Sequence, residues 1–190
     1  MTDRSKVAAV ILAAGLGRRF GGPKLVAQLA GETLLSHVAR RARQAGLDPI
    51  IAVVPVGAET PARIDAVVNH DPARGLSSSL QLGIGAVPPE RAAVVLLVDQ
   101  PTVTPAAIAA VLAARGTRPL VAASAEGRYG PPVLIEPEAV PVVMALSGDI
   151  GLREVLAANP DMVEAVPIDV HAPDVDTEAD LDRLEARLEG

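Results

Sequence analysis

The chain has 190 residues, a formal net charge of −6, 49% hydrophobic residues and no cysteine. Disorder, disulfides, thiolate metal sites and cysteine nucleophiles are excluded on those totals, and the charge argues against nucleic acid or an anionic membrane as the main partner. Phe20 and Tyr129 are the whole aromatic complement, so the core must be aliphatic and sequence-tolerant base stacking has no platforms.

Ala8 to Leu12 is an apolar run that reads as a buried strand. It enters Ala13, Ala14, Gly15, Leu16, Gly17, Arg18, Arg19, Phe20, Gly21, Gly22, Pro23 and Lys24. Glycines let the backbone turn tightly and approach a ligand. Three cations in seven residues add fixed positive charge. Amide donors with cations after a strand suit a polyphosphate. The Walker spacing is absent, because Leu25 follows Lys24. The dinucleotide spacing fails as well, its third glycine falling one place late at Gly21.

Thr33 to Ala45 carries apolar residues at helical spacing and ends at Gly46. Pro49 to Val54 reads as a second strand, Arg63 to Ala66 as a short helix, and Val67-Val68 as a brief third strand ending at Asn69. Gly75-Leu76-Ser77-Ser78-Ser79 opens another helix, whose N-terminus is a second candidate anion or base site. Ala92 to Val98 is the most strand-like run, and Asp99-Gln100-Pro101 follows it. An acidic residue at the carboxyl end of a central strand lies in the ligand crevice of an open α/β sheet. There it can hold Mg²⁺ together with substrate phosphates.

Thr104 caps a helix with Pro105 at its first position. Leu120 to Ala123 is a fifth strand, Ser124 to Gly130 a polar reversal, and Pro132 to Ile135 an antiparallel strand. Pro137 to Leu146 and Gly151 to Ala158 read as helices, and Val163 to Ile168 as an edge strand. Asp174 and Asp176 precede a last helix, with Thr177 and Asp180 in a capping-box relation and a seam of Leu181, Leu184 and Leu188. Alternating strands and helices predict an α/β three-layer, Rossmann-like fold with a mainly parallel sheet and an antiparallel edge. One domain over 1–190 is expected, large enough to bury roughly 70% of its unfolded surface. With neither a signal-peptide pattern nor an apolar run of roughly 18 residues, a cytoplasmic protein is expected. His37, His70 and His171 lack zinc-ligand spacing, and no histidine stands near Ser77 to Ser79 to activate a nucleophile.

The opening loop resembles the signature Leu-Ala-Ala-Gly-x-Gly-x-Arg-x-Gly-x-x-Lys of nucleotidyltransferases with a Rossmann-like fold. Leu12, Ala13, Ala14, Gly15, Gly17, Arg19 (or Arg18), Gly21 and Lys24 carry the match. Asn69 with Gly75 to Leu80, Val98-Asp99-Gln100-Pro101, Gly148-Asp149-x-Gly151-x-Arg153 and Asp174-x-Asp176-Thr177 together resemble the molybdenum cofactor cytidylyltransferases. The resemblance implies transfer of CMP from CTP to molybdopterin-bound molybdenum cofactor, with Mg²⁺, release of pyrophosphate and delivery to a recipient molybdoenzyme. It gives Lys24, Arg19 and Asp99 catalytic roles, and makes Asp99 and Asp176 the metal ligands. Leu12, Ala13, Ala14, Gly15, Gly17, Arg18, Asn69, Ser77, Ser78 and Ser79 would bind the nucleotide, and Gly148, Asp149 and Arg153 the acceptor. This chain reads Gly130-Pro131-Pro132 where the family often has Gly-His-Pro. A guanylyltransferase, another small-phosphate nucleotidyltransferase and a NAD(P)H-dependent reductase of pigment dimers are related readings.

Overall fold

The computed structural model describes residues 7–15, 20–22, 24–169 and 172–189. His171 lies outside them, as does the side chain of Leu188. In chain order the elements are β1 (Val7–Leu12), β2 (Gln28–Leu29), β3 (Glu32–Thr33), α1 (Leu34–Gln44), β4 (Ile50–Pro55), β5 (Asp65–Asn69), α2 (Leu76–Gly85), β6 (Ala92–Leu97), α3 (Pro105–Ala113), β7 (Leu120–Ala125), β8 (Arg128–Ile135), α4 (Val140–Met144), α5 (Leu152–Ala158), β9 (Val163–Pro167) and α6 (Glu178–Glu189). The main sheet has seven strands in the order β5-β4-β1-β6-β8-β7-β9. The pairs β1–β4, β1–β6, β4–β5 and β7–β9 are parallel, and β8 runs antiparallel between β6 and β7.

Period-two alternation divides the core between the two faces of this sheet. Val7, Ala9 and Ile11 of β1 and Ala92, Val94 and Leu96 of β6 join the cluster under α1, α3 and Leu184 of α6. Val10, Ala93 and Val95 point the other way, into a cluster with Leu80 and Ile84 of α2, Val143 of α4 and Val155 of α5. The result is the expected three-layer arrangement. β1 leads outward to β4 and β5, whereas β6 lies on its opposite side, with Leu12 opposite Leu97. Strand order therefore reverses between β1 and β6, and the crevice above their carboxyl ends is where such sheets bind ligands.

Two local readings are corrected, and one small element carried no sequence signal. The short helix at Arg63 to Ala66 does not form: Asp65–Asn69 pairs with the open edge of β4, and Arg63 is a turn residue at φ 64°. The Arg43 guanidinium donates to the Arg63 carbonyl at 2.8 Å and fixes that turn. Ser124 to Gly130 is mostly strand, the reversal shrinking to Glu126-Gly127, both at positive φ, as a two-residue hairpin turn requires. Gln28–Leu29 and Glu32–Thr33 make a small hairpin too short to leave a periodic signal.

α2 reaches the sheet through Gly83. A Cβ there would stand 2.4 Å from Val10 Cγ1 and 3.0 Å from Val53 Cγ2. Gly83→Ala is expected to cost about 1–3 kcal/mol by overpacking. Gly85→Ala, on the same helix with nothing within 4 Å, should be neutral or stabilising by up to about 1 kcal/mol. Urea midpoints of the two variants check the pair.

Candidate active site

The crevice between β1 and β6 holds a cavity of about 270 Å³, lined by Leu12, Ala13, Ala14, Gly15, Lys24, Pro72, Gly75, Leu76, Ser79, Leu97, Val98, Asp99 and Asp176. The ends of the two strands are pinned there: Ala13 N donates to the Val53 carbonyl at 2.8 Å, and Val98 N to the Leu12 carbonyl at 3.2 Å. Lys24 opens a short turn, Lys24–Val26, that Leu25 anchors in the core at 1% exposure. The Lys24 ammonium donates to Asp176 Oδ1 at 2.6 Å and to Asp99 Oδ2 at 3.3 Å. Gly17, Arg18 and Arg19 lie outside the described residues.

Asp176 reaches this place because the chain before α6 is stitched down on three sides. Val175 N donates to the Asp99 carbonyl at 2.7 Å. Buried Gln100 donates through Nε2 to Asp174 Oδ1 at 2.8 Å. Asp180 Oδ2 accepts from Asp176 N at 3.1 Å, Thr177 N at 2.8 Å and Thr177 Oγ1 at 2.7 Å. The Thr177 hydroxyl is the main cause that holds the Asp180 carboxyl down at about 2. Asp99 is shifted the other way. Burial pushes its carboxyl above the ordinary 3.8, Lys24 pulls it back, and the nearby Asp174 adds repulsion.

The serine segment is used differently from its sequence reading. The Asn69 amide donates to Ser78 Oγ at 3.1 Å and Ser79 Oγ at 2.9 Å. Ser77 Oγ donates to the Gly148 carbonyl and Ser78 Oγ to the Gly75 carbonyl. Of Asn69 and the three serines, Ser79 alone lines the β1–β6 cavity, while Asn69 and Ser78 line a neighbouring one beside β5 and α2. Gly148 and Asp149 sit on the N-terminus of α2, where the Gly148 carbonyl accepts from Ser77 N and Asp149 Oδ1 from Leu76 N. Two of that helix's free amides are thereby taken, which removes much of the anion site the serines suggested. Arg153 lines a third cavity of about 200 Å³, with Pro131, Leu152 and Leu156; it shares Leu12, Leu76 and Leu97 with the first.

His37 is occupied structurally, its Nε2 donating to the Leu29 carbonyl at 2.7 Å. Sequence reasoning missed the tie from Gln100 to Asp174; a glutamine after an aspartate carries no local signal of it. The Thr177–Asp180 capping pair was legible, but its hold on Asp176 was not.

Among the described residues no group of three or more His, Asp or Glu converges as a metal cage. The donor set at Lys24 is two aspartates facing one cation position, with Asp174 nearby. Mg²⁺ takes one or two carboxylates and completes its shell with water and substrate phosphates. The residues present fit such an ion, and Mn²⁺ by the same preference for oxygen.

Residues 9–163 match the MobA-like NTP transferase domain. The chain belongs to that family. A nicotine blue oxidoreductase of Paenarthrobacter nicotinovorans is 31% identical over 96% of this chain and 98% of its own length. The crystal structure of a Mycobacterium tuberculosis Rv0371c homologue from Mycobacterium sp. strain JC1 superposes with a TM-score of 0.85, at 31% identity and 98% coverage of both chains. Rv0371c of M. tuberculosis in complex with manganese gives 0.80 at 27% identity, covering 96% of this chain and 99% of that one. The chain is a nucleotidyltransferase of the MobA-like family, and Ala13 to Gly15 follow β1 at the point where strand order reverses. No helix among the described residues is long and apolar enough to cross a membrane.

Proposed function

We infer that this chain is a cytoplasmic, Mg²⁺-dependent cytidylyltransferase. It transfers CMP from CTP to the phosphate of molybdopterin-bound molybdenum cofactor, whose product passes to a molybdoenzyme. An oxygen of the acceptor phosphate attacks the α-phosphorus of CTP. The bond from that phosphorus to the oxygen bridging the β-phosphate breaks, and pyrophosphate leaves with the electron pair. A phosphate monoester is mostly ionised at neutral pH, so the acceptor needs no protein base, in keeping with the cavity lining, which includes no histidine among the described residues.

The observation that carries this reading is the meeting of Lys24, Asp99 and Asp176 beside the Ala13–Gly15 backbone in one cavity. The amides of that backbone bind the triphosphate, and Lys24 and Arg19 neutralise charge on the departing pyrophosphate. Asp99 and Asp176 would hold Mg²⁺, which when bound neutralises and orients the triphosphate. Ser79 borders the nucleotide. Arg153 faces the acceptor in the adjoining cavity, where Pro131 replaces the imidazole expected, and Gly148 and Asp149 serve the acceptor side from the start of α2.

The full-length likeness to nicotine blue oxidoreductase favours a second reading, a NAD(P)H-dependent reductase. Purified protein with Mg²⁺ and the molybdopterin acceptor, offered CTP, GTP and ATP in turn, decides between them. Pyrophosphate release with CTP is expected. Preference for GTP overturns the cytidylyl assignment. Absence of pyrophosphate, with metal-independent oxidation of NAD(P)H by a pigment acceptor, establishes the reductase.

A further inference from the structure

Of the 17 basic residues, two are lysines, Lys6 and Lys24. The position between the two carboxylates therefore carries a compact ammonium in a chain that otherwise uses arginine. That choice has a consequence. A guanidinium would grip a carboxylate bidentately, whereas an ammonium is a small point charge that exchanges partners readily. The Lys24 ammonium touches both Asp99 and Asp176, with its side chain 14% exposed. It offsets the repulsion between Asp99 and Asp174, which burial at Asp99 makes stronger.

Mg²⁺ and Mn²⁺ need carboxylate oxygens at about 2.0–2.2 Å. An ion held by both Asp99 and Asp176 would compete for the carboxylate oxygens that the ammonium now contacts at 3.3 and 2.6 Å. The ammonium leaves at low cost only when another anion accepts it, and a nucleoside triphosphate brings that anion to the same cavity.

We propose that Lys24 is a stand-in cation that positions Asp99 and Asp176 in the metal-free protein, so that the metal binds well only when a nucleotide's phosphates draw Lys24 away. Free divalent ion binds weakly, the metal–nucleotide complex is the form taken up, and by reciprocity each ligand strengthens the other by the same factor. This rests on the nucleotidyl-transfer reading for the nucleotide, though the competition between lysine and metal does not.

The test is direct binding of Mn²⁺ alone, followed by electron paramagnetic resonance of the free ion. Lys24→Met and Lys24→Gln keep an extended side chain, one atom shorter, without its charge. Each should bind Mn²⁺ tighter than wild type by about 5- to 150-fold, the usual range of such couplings. Lys24→Arg should bind no tighter than wild type. A neutral variant that binds Mn²⁺ no better, or worse, overturns the proposal. Should both neutral variants fail to fold, the wild-type protein still answers. Saturating Mn²⁺ should speed labelling of Lys24 by an amine-reactive reagent several-fold, read by mass spectrometry with Lys6 as internal standard. Unchanged labelling overturns it equally. Neither measurement uses nucleotide or acceptor, so loss of the cytidylyl reading would show separately, in pyrophosphate release.

Discussion

Asp99→Asn is expected to lower turnover by about two to three orders of magnitude, the scale of losing a positioned electrostatic contact, while leaving the protein at least as heat-resistant as wild type at pH 7. The first half follows from the place of Asp99 at the end of β6, in the cavity and within reach of Lys24. The second half follows from the direction of its titration. Burial raises the Asp99 carboxyl above its ordinary 3.8, against the pull of Lys24. The folded chain then holds that proton more tightly than the unfolded chain does. Stability falls as pH climbs from the unfolded value through the folded one, and above that window the whole penalty of a buried charge is present. An amide has no charge to bury. The melting temperature of Asp99→Asn should match or exceed wild type at pH 7, and its advantage should shrink as pH is lowered through that window. A variant clearly less stable at pH 7 would mean that pairing with Lys24 outweighs burial. Retained turnover would remove Asp99 from the chemistry altogether.

What was legible in the chain was legible for local reasons. Five consecutive apolar residues before a glycine loop, and seven before Asp99, announce buried strands whose ends line one cavity. Thr104 with Pro105 announces a helix start, and Thr104 Oγ1 does accept from Ala107 N at 3.1 Å. Opposing tertiary forces were not legible. Arg63 to Ala66 has acceptable helix formers, yet an unpaired β4 edge takes Asp65 and Ala66 into a strand. The serines offered hydroxyls suited to a ligand, but Asn69, Gly75 and Gly148 bond to them first. Asp176 stands 152 residues from Lys24 in sequence, and no periodicity reports that separation. Their meeting depends on the backbone bond from Val175 to Asp99 and on the Asp180 carboxylate, features of the assembled loop.

Gly75→Ala should be strongly destabilising. Gly75 has φ +95° and ψ 179°, a region populated essentially by glycine alone and worth about 1–3 kcal/mol of strain for other residues. Its Cβ would also stand 2.3 Å from the Gly148 oxygen, 2.4 Å from the Gly148 carbon and 2.7 Å from Asp149 N. All three are backbone atoms, so no side chain can turn aside. The 148–149 segment must move, taking with it the carbonyl and carboxylate that accept from Ser77 and Leu76. The expected loss is about 3 kcal/mol or more, strain and overpacking together. Gly57→Ala isolates the backbone share, because Gly57 has φ +77° and open space around it; about 1–2 kcal/mol is expected there. Urea denaturation of both variants measures the difference. Equal losses would mean that the 148–149 segment yields freely and does not brace α2. A larger loss at Gly75, with turnover falling even where the variant is still folded, would tie the brace to the wall shared by the two adjoining cavities. Leu76, the residue after Gly75, lines both, so a shift there changes both cavities at once.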